Sequence, residues 1–281
     1  MKMTDTLQLP VLSDSTLVLN NRVATLTFQR HDVRNALTGT ALIDDLVTVA
    51  EWVNHTPDVS VLIITGDGSA FSAGGNIKEM SERDGEHKEG AFAGDVYTVQ
   101  NKYRLGIQRI PLAMAKIDIP VIAAVNGPAI GAGFDLTCMC DLRIGSSKAL
   151  LGETFVNLGI IPGDGGAWFL QRLIGYQKAA ELTLTGRVIG ADEAKDLGIL
   201  LEVVEPDQLI EKATELANRM ADKPPQALRM TKRLLKTAQK MELPEFLDHC
   251  ALMQGICHNT EDHLEAVNAF VEKRTPNYQG K

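Results

Sequence analysis

The stretch Gly127-Pro128-Ala129-Ile130-Gly131-Ala132-Gly133-Phe134-Asp135 constrains this chain more than any other. An apolar run from Pro120 to Val125 delivers the backbone to it, and a helical pattern from Leu136 to Cys140 leaves it. Small residues at such a strand-to-helix junction let another molecule come up against the main chain. The first N–H groups of the new helix have no carbonyl one turn back, and they carry the positive end of its dipole. Main chain alone can therefore stabilise negative charge here.

The rest of the chain supplies the alternation of strands and helices that this junction needs. Leu17 to Asn20 and Val23 to Phe28, separated by Asn21-Arg22, read as a β-hairpin. Thr38 is placed to cap a helix carrying Leu42, Leu46, Val49, Trp52 and Val53 at helical spacing. Val59 to Thr65 is a β-branched strand suited to burial on both faces. Val96 to Lys116 has helical periodicity and leads into the Pro120 strand. Asp141 to Gly145, Ala149 to Leu151 and Ile199 to Val204 read as further strands, with helices over Lys178 to Thr185 and Ala191 to Leu197. The recurring strand–helix–strand order predicts an α/β layer fold. From Gln208 onward every segment is helical, so the expected boundary separates a core, 1–207, from a C-terminal helical part, 208–281.

The bulk numbers restrict function. The chain has 281 residues, 44% of them hydrophobic, and a formal charge of −8. That field disfavours nucleic-acid and acidic-membrane partners. The first ten residues have no signal-peptide pattern, and no apolar run is long enough to span a membrane, so the expected compartment is the cytoplasm. Cys138 and Cys140 lie in an apolar helical stretch as reduced, buried thiols. The second glycine-rich loop, Gly66 to Asn76, is not followed by Gly-Lys-Ser/Thr. It also has Phe71 where a dinucleotide fingerprint needs its third glycine, which excludes both phosphate-loop readings. The charged segment Lys78 to Gly94 reads as a lid or insertion. Asp248, His249, Cys250, Cys257, His258 and His263 do not match zinc spacings, so no metal site is expected.

Several motifs in fixed order carry a resemblance. They are Arg34-Asn35-Ala36-Leu37, Ala70 to Ile77, Pro120 to Gly127, Gly131-Ala132-Gly133, Gly159-Ile160-Ile161-Pro162-Gly163, Leu184-Thr185-Gly186 and Phe270 to Arg274. Together they resemble the crotonase, or enoyl-CoA hydratase/isomerase, family. The resemblance implies a spiral of ββα units followed by helices that pack subunits into a homotrimer or a dimer of trimers. It implies an acyl-CoA substrate, with coenzyme A present as part of the thioester and no tightly bound cofactor. It also implies that the N–H groups of Gly75 and Ala132 receive the thioester oxygen. Val33, Arg34, Ala73, Gly75, Asn76 and Ile77 would bind the coenzyme, with Arg30, Arg34, Lys78 or Lys273 near its phosphates.

The carboxylates decide which reaction follows. The family's hydratases hold a water between two glutamates. Asp135 stands at the first of those positions and Phe155, which moves no proton, at the second. Asp164 is a third candidate, with a competing reading as the N-cap of the next helix. Glu153 shares strand parity with Phe155 and is a further group able to reach the pocket. Desolvation by Phe134, Phe155 and Trp168 would raise the aspartate pKa values. The expected chemistry is hydration of a 2-enoyl-CoA or movement of its double bond through an enolate. The alternatives are carbon–carbon hydrolysis of a β-diketone on the same scaffold, or a non-catalytic acyl-CoA- or RNA-binding role.

Overall fold

The computed structural model describes residues 8–76 and 92–281. Its chain begins with the expected hairpin, β1 (Ser15–Asn20) against β2 (Val23–Phe28), paired antiparallel with Ser15 opposite Phe28. Asn21 and Arg22 take φ values of 47° and 68°. That left-handed pair matches the twist of the strands it joins. Three parallel additions follow, β3 (Val61–Gly66), β4 (Val121–Val125) and β6 (Leu142–Ser146). The last strand, β9 (Glu202–Val204), completes a six-stranded sheet in the order β1-β2-β3-β4-β6-β9. A smaller sheet is built from β5 (Ala129–Ile130), β7 (Leu150–Gly152) and β8 (Ile189–Gly190).

Both faces of the large sheet are covered, and the strand period of two sorts the side chains between them. Leu62 and Ile64 point to the face packed by α1 (Leu42–His55), whose Leu42, Leu46, Val49 and Val53 are buried. Val61 and Ile63 point the other way, onto α8 (Leu209–Ala221) through Leu209, Ala213, Ala217 and Ala221. Each fully buried Leu, Ile or Val side chain contributes about 1.5–3 kcal/mol relative to exposure. The small alanines of α8 let that helix lie close against the sheet.

The remaining described helices are α2 (Val96–Leu105), α3 (Arg109–Lys116), α4 (Ala132–Met139), α5 (Gly166–Ile174), α6 (Tyr176–Thr185) and α7 (Ala191–Asp196), then α9 (Pro225–Thr237), α10 (Leu243–His258) and α11 (Glu261–Glu272). Three local expectations change. The helical pattern from Val96 to Lys116 is two helices, because Gly106 takes φ −109° and ψ −110° and turns the chain. The final strand starts at Glu202 rather than Ile199, whose backbone is used by α7's last turn: the Ile199 N–H donates to the Ala194 carbonyl. Thr38 does not cap α1, which begins after Ala41; its hydroxyl instead accepts the Asn76 N–H at 2.8 Å. Most of the expected lid, Lys78 to Gly94, lies outside the described residues, as does Ile77.

Candidate active site

Two glycine loops are laid side by side in register. Ser72 and Ala129 form a parallel bridge, and the Ile130 N–H donates to the Ser72 carbonyl at 3.0 Å. Three residues further along each chain stand Gly75 and Ala132. Their approach depends on Gly74, which has φ +77°; a Cβ there would lie 2.4 Å from the Ile130 oxygen and 3.0 Å from the Ala132 nitrogen. Both constraints demand glycine. Ala132 opens α4, so its N–H is one of the helix's unpaired first-turn donors.

A buried asparagine locks this seam to the hairpin. Asn35, 0% exposed and at φ 53°, accepts the Arg30 N–H through Oδ1 and donates from Nδ2 to the carbonyls of Asp67 and Ala70. The Ser72 hydroxyl donates to the Asn35 carbonyl at 2.7 Å and accepts the Gly74 N–H at 3.1 Å. The Ala73 N–H donates to the Arg34 carbonyl and the Leu37 N–H to the Gly74 carbonyl. Val33-Arg34 and Ala73 to Asn76, the two segments expected to hold the coenzyme, are thus hydrogen-bonded to one another. The phosphate candidates separate. Arg30 is paired with both Asp14 and Asp32, which removes it from that role. Arg34 borders the seam, whereas Lys273 ends α11, which packs on α10.

Behind the seam three carboxyl groups converge. Asp135, on the first turn of α4, and Glu153, just after β7, are 0% exposed, and Asp164, before α5, is 4% exposed. Asp135 is within hydrogen-bonding reach of both Asp164 and Glu153. Both Asp135 oxygens, Glu153 Oε1 and Asp164 Oδ1 receive no hydrogen bond from the described protein. A donor exists inside this group only if a carboxyl keeps its proton. Two ionised carboxylates about 4 Å apart repel by about 4 kcal/mol at an effective dielectric of about 20. Burial pushes Asp135 well above the ordinary aspartate range, and the charges of Asp164 and Glu153 push it further. Burial likewise raises Asp164 and Glu153. Such a cluster titrates as a coupled unit that holds its protons more tightly than free carboxyls do.

The cluster corrects several sequence readings. Asp164 is not a helix cap: the N-cap of α5 is Gly165, and no side chain caps it. Glu153 reaches the site, but strand parity with Phe155 is not the reason. The strand stops at Gly152, and Phe155 begins a short 3-10 turn, Phe155–Leu158. The Phe155 ring instead lies over Gly131, 3.5 Å from where a Cβ would stand. Trp168 does not dry the aspartates, because it is 44% exposed with the Arg172 guanidinium 3.8 Å over its ring. Phe134, next to Asp135 in the chain, is fully buried in the main hydrophobic core.

A cavity of about 910 Å³ lies nearby, lined by Phe92, Val96, Val99 and Tyr103, by the polar Asp95, Gln100, Arg104 and Gln108, and by Gly159 to Ile161 and Gly163, the residue before Asp164. The Gln108 amide donates to the Gly163 carbonyl at 2.8 Å and holds that turn. Burial, and then the nearby charge of Asp164, raise the Tyr103 phenol above its ordinary range. Two backbone segments, a buried carboxyl cluster and a cavity thus stand in one region of the fold.

The sequence profile described as enoyl-CoA hydratase/isomerase matches residues 19–281. The chain belongs to the enoyl-CoA hydratase/isomerase family. A crotonyl-CoA hydratase of Syntrophomonas wolfei is 37% identical over 92% of this chain and 95% of that protein. A 2,3-dehydroadipyl-CoA hydratase of Escherichia coli is 33% identical over 96% of this chain and 100% of that protein. Among solved structures, an enoyl-CoA hydratase from Bacillus anthracis superimposes with a TM-score of 0.87 at 34% identity, covering 96% of this chain and 100% of that one. The two sheets and the trailing helices are thus the crotonase fold.

Proposed function

We propose that this enzyme moves the double bond of an enoyl-CoA thioester through an enolate. The carrying observation is that Asp135 and Asp164 face one another within hydrogen-bonding reach. Phe155, next to Gly131, adds an apolar wall where the family's hydratases place their second acid.

Ionised Asp164 takes a proton from C2 of a 3-enoyl thioester. The electrons move onto the thioester oxygen, which receives the N–H groups of Gly75 and Ala132. Each such donor lowers the barrier by about 2.7–4 kcal/mol. Protonated Asp135 then gives its proton to C4, forming the conjugated 2-enoyl product. Asp164 now holds the proton and Asp135 the charge. Their contact returns the proton to Asp135, and the site is reset without solvent. Roles follow the environments: Asp135, more deeply buried and flanked by two acids, keeps its proton longest.

The coenzyme would run along Val33-Arg34 and Ala73 to Asn76, with Lys273 supplied by a neighbouring copy. The exposed Leu243, Leu247, Leu252, Ile256, Phe270 and Val271 on α10 and α11 support a homotrimer or dimer of trimers. Among the described residues no helix is long and apolar enough to cross a membrane, and we place the enzyme in the cytoplasm. Hydration of a 2-enoyl-CoA is the second reading, favoured by the names of the relatives. Incubation with 3-hexenoyl-CoA and with crotonyl-CoA separates the two. Appearance of conjugated absorbance from the first is the expected result. Loss of absorbance from crotonyl-CoA, with 3-hexenoyl-CoA untouched, overturns the isomerase reading.

A further inference from the structure

We infer that Glu153 is a positioning residue, held by the Thr183 hydroxyl so that its free oxygen keeps the acid proton on Asp135. The inference rests on the assignment of Asp135 as the acid of the proposed proton shift.

The geometry comes from three separate parts of the chain. Thr183, on α6, donates its hydroxyl to Glu153 Oε2 at 2.5 Å. That bond commits one oxygen and fixes the carboxyl plane, leaving Oε1 without a donor from the described protein. Gly166, the first residue of α5, defines where Oε1 points. A Cβ built on Gly166 would lie 2.2 Å from Glu153 Oε1 and 2.2 Å from each Asp135 oxygen. All three oxygens therefore crowd around one point, and Oε1 lies within twice that distance of both Asp135 oxygens. Only glycine at 166 leaves the space for this approach.

Two carboxyls this close repel when both are ionised, and a proton between them relieves that repulsion. The Thr183 hydroxyl, as a donor, favours the ionised form of Glu153. The proton then belongs to Asp135, and Oε1 accepts it. This agrees with the directions of titration: the hydrogen bonds from Thr183 and Asp135 pull Glu153 downward against its burial, while Asp135 is driven upward. Other titratable or charged groups face the cluster too. Asp164 adds repulsion, the Cys138 thiol lies one turn along α4, and the Arg143 guanidinium is engaged with the carbonyls of Thr137, Cys140 and Ile199. None of these donates a hydrogen bond to Glu153 Oε1. Thr183 therefore acts on the acid through Glu153, from a helix that touches no reacting atom.

The test uses Glu153→Gln, Thr183→Val and Thr183→Ser in the full-length enzyme. Removing the Glu153 charge lets Asp135 ionise more easily, so the acid is lost at lower pH. In Glu153→Gln, turnover of 3-hexenoyl-CoA is expected to fall at least about tenfold, with KM nearly unchanged. The alkaline limb of its pH–rate profile should move down by about one pH unit or more. Thr183→Val, which raises the Glu153 pKa, should move the limb in the same direction by less, and Thr183→Ser should restore it.

Carbon-13 carboxyl NMR on aspartate-labelled protein gives a readout independent of the reaction, with the Asp135 resonance assigned by its absence in Asp135→Asn. A lowered Asp135 midpoint in Glu153→Gln or Thr183→Val supports the positioning role. If that midpoint falls while the rate profile stays fixed, positioning stands and the assignment of Asp135 as the acid fails. An Asp135 midpoint unchanged in both variants overturns the proposal. Should Glu153→Gln not fold, the comparison of Thr183→Val with Thr183→Ser decides it alone.

Discussion

Replacing Asp164 by asparagine separates what the carboxyl cluster does for catalysis from what it does to stability. Asparagine keeps the shape of the side chain and removes its charge and its basicity. Asp164 is 4% exposed, beside Asp135, and burial raises its pKa above the free aspartate value. A carboxyl whose folded-state pKa is raised has its full stabilising effect below its unfolded pKa. That contribution is lost as pH rises toward the folded value, because the unfolded chain ionises freely and the native site does not. Asp164→Asn has no such loss. Relieving repulsion between two charges about 4 Å apart is worth up to about 4 kcal/mol at an effective dielectric of about 20, and about 1 kcal/mol moves Tm by about 2–4 °C in chains near this size. Thermal unfolding at about pH 8 should therefore show Tm raised by at least about 2 °C, a difference that closes near about pH 4. Turnover should fall at least about a hundredfold, with acyl-CoA affinity nearly intact. A variant less stable at high pH, or a Tm difference independent of pH, refutes the picture of a repelling buried cluster. Unchanged turnover refutes the role of Asp164 as base.

Phe155→Glu restores an acid where the family's hydratases carry one, and it is expected to raise hydration of crotonyl-CoA relative to isomerisation of 3-hexenoyl-CoA. The ratio of the two rates from paired absorbance assays checks this, and an unchanged ratio counts against the role given to the Phe155 wall. Gly74→Ala puts a Cβ 2.4 Å from the Ile130 oxygen at φ +77°, so the Gly75 and Ala132 donors must part. Loss of one such donor costs about 10²–10³ in kcat. Steady-state kinetics on folded protein should show at least that loss.

The fold was legible where a local pattern has one physical solution. Asn21-Arg22 between alternating strands can only turn, and the small residues from Gly127 to Gly133 can only bring backbone close to something. The candidate site was legible in part. Gly75, Ala132 and Asp135 were named through the family resemblance, and local patterns alone gave only the small-residue loops that carry them. Glu153 was only a further candidate, on a strand parity that the structure does not keep. The 3-10 turn at Phe155 breaks the strand period, and what directs Glu153 inward is the Thr183 hydroxyl, thirty residues away in the chain. The cap reading of Asp164 failed because Gly165, at φ 103°, takes over the helix start and leaves the carboxyl turned inward. Thr38 failed likewise, recruited by Asn76 through a tertiary bond that no local preference encodes.

The seam between Ser72 to Gly75 and Ala129 to Ala132 has a further consequence for how such an enzyme can change. Its donors are main-chain atoms fastened by sheet-like pairing and by Asn35, so hardly any substitution can move them without unfastening the core. The acids, by contrast, are side chains carried on a helix turn, a strand end and a loop. Point mutations can therefore exchange one reaction for another while the cradle for the intermediate is inherited intact, which makes Glu153, Phe155 and Asp164 the economical positions at which to redirect this catalyst.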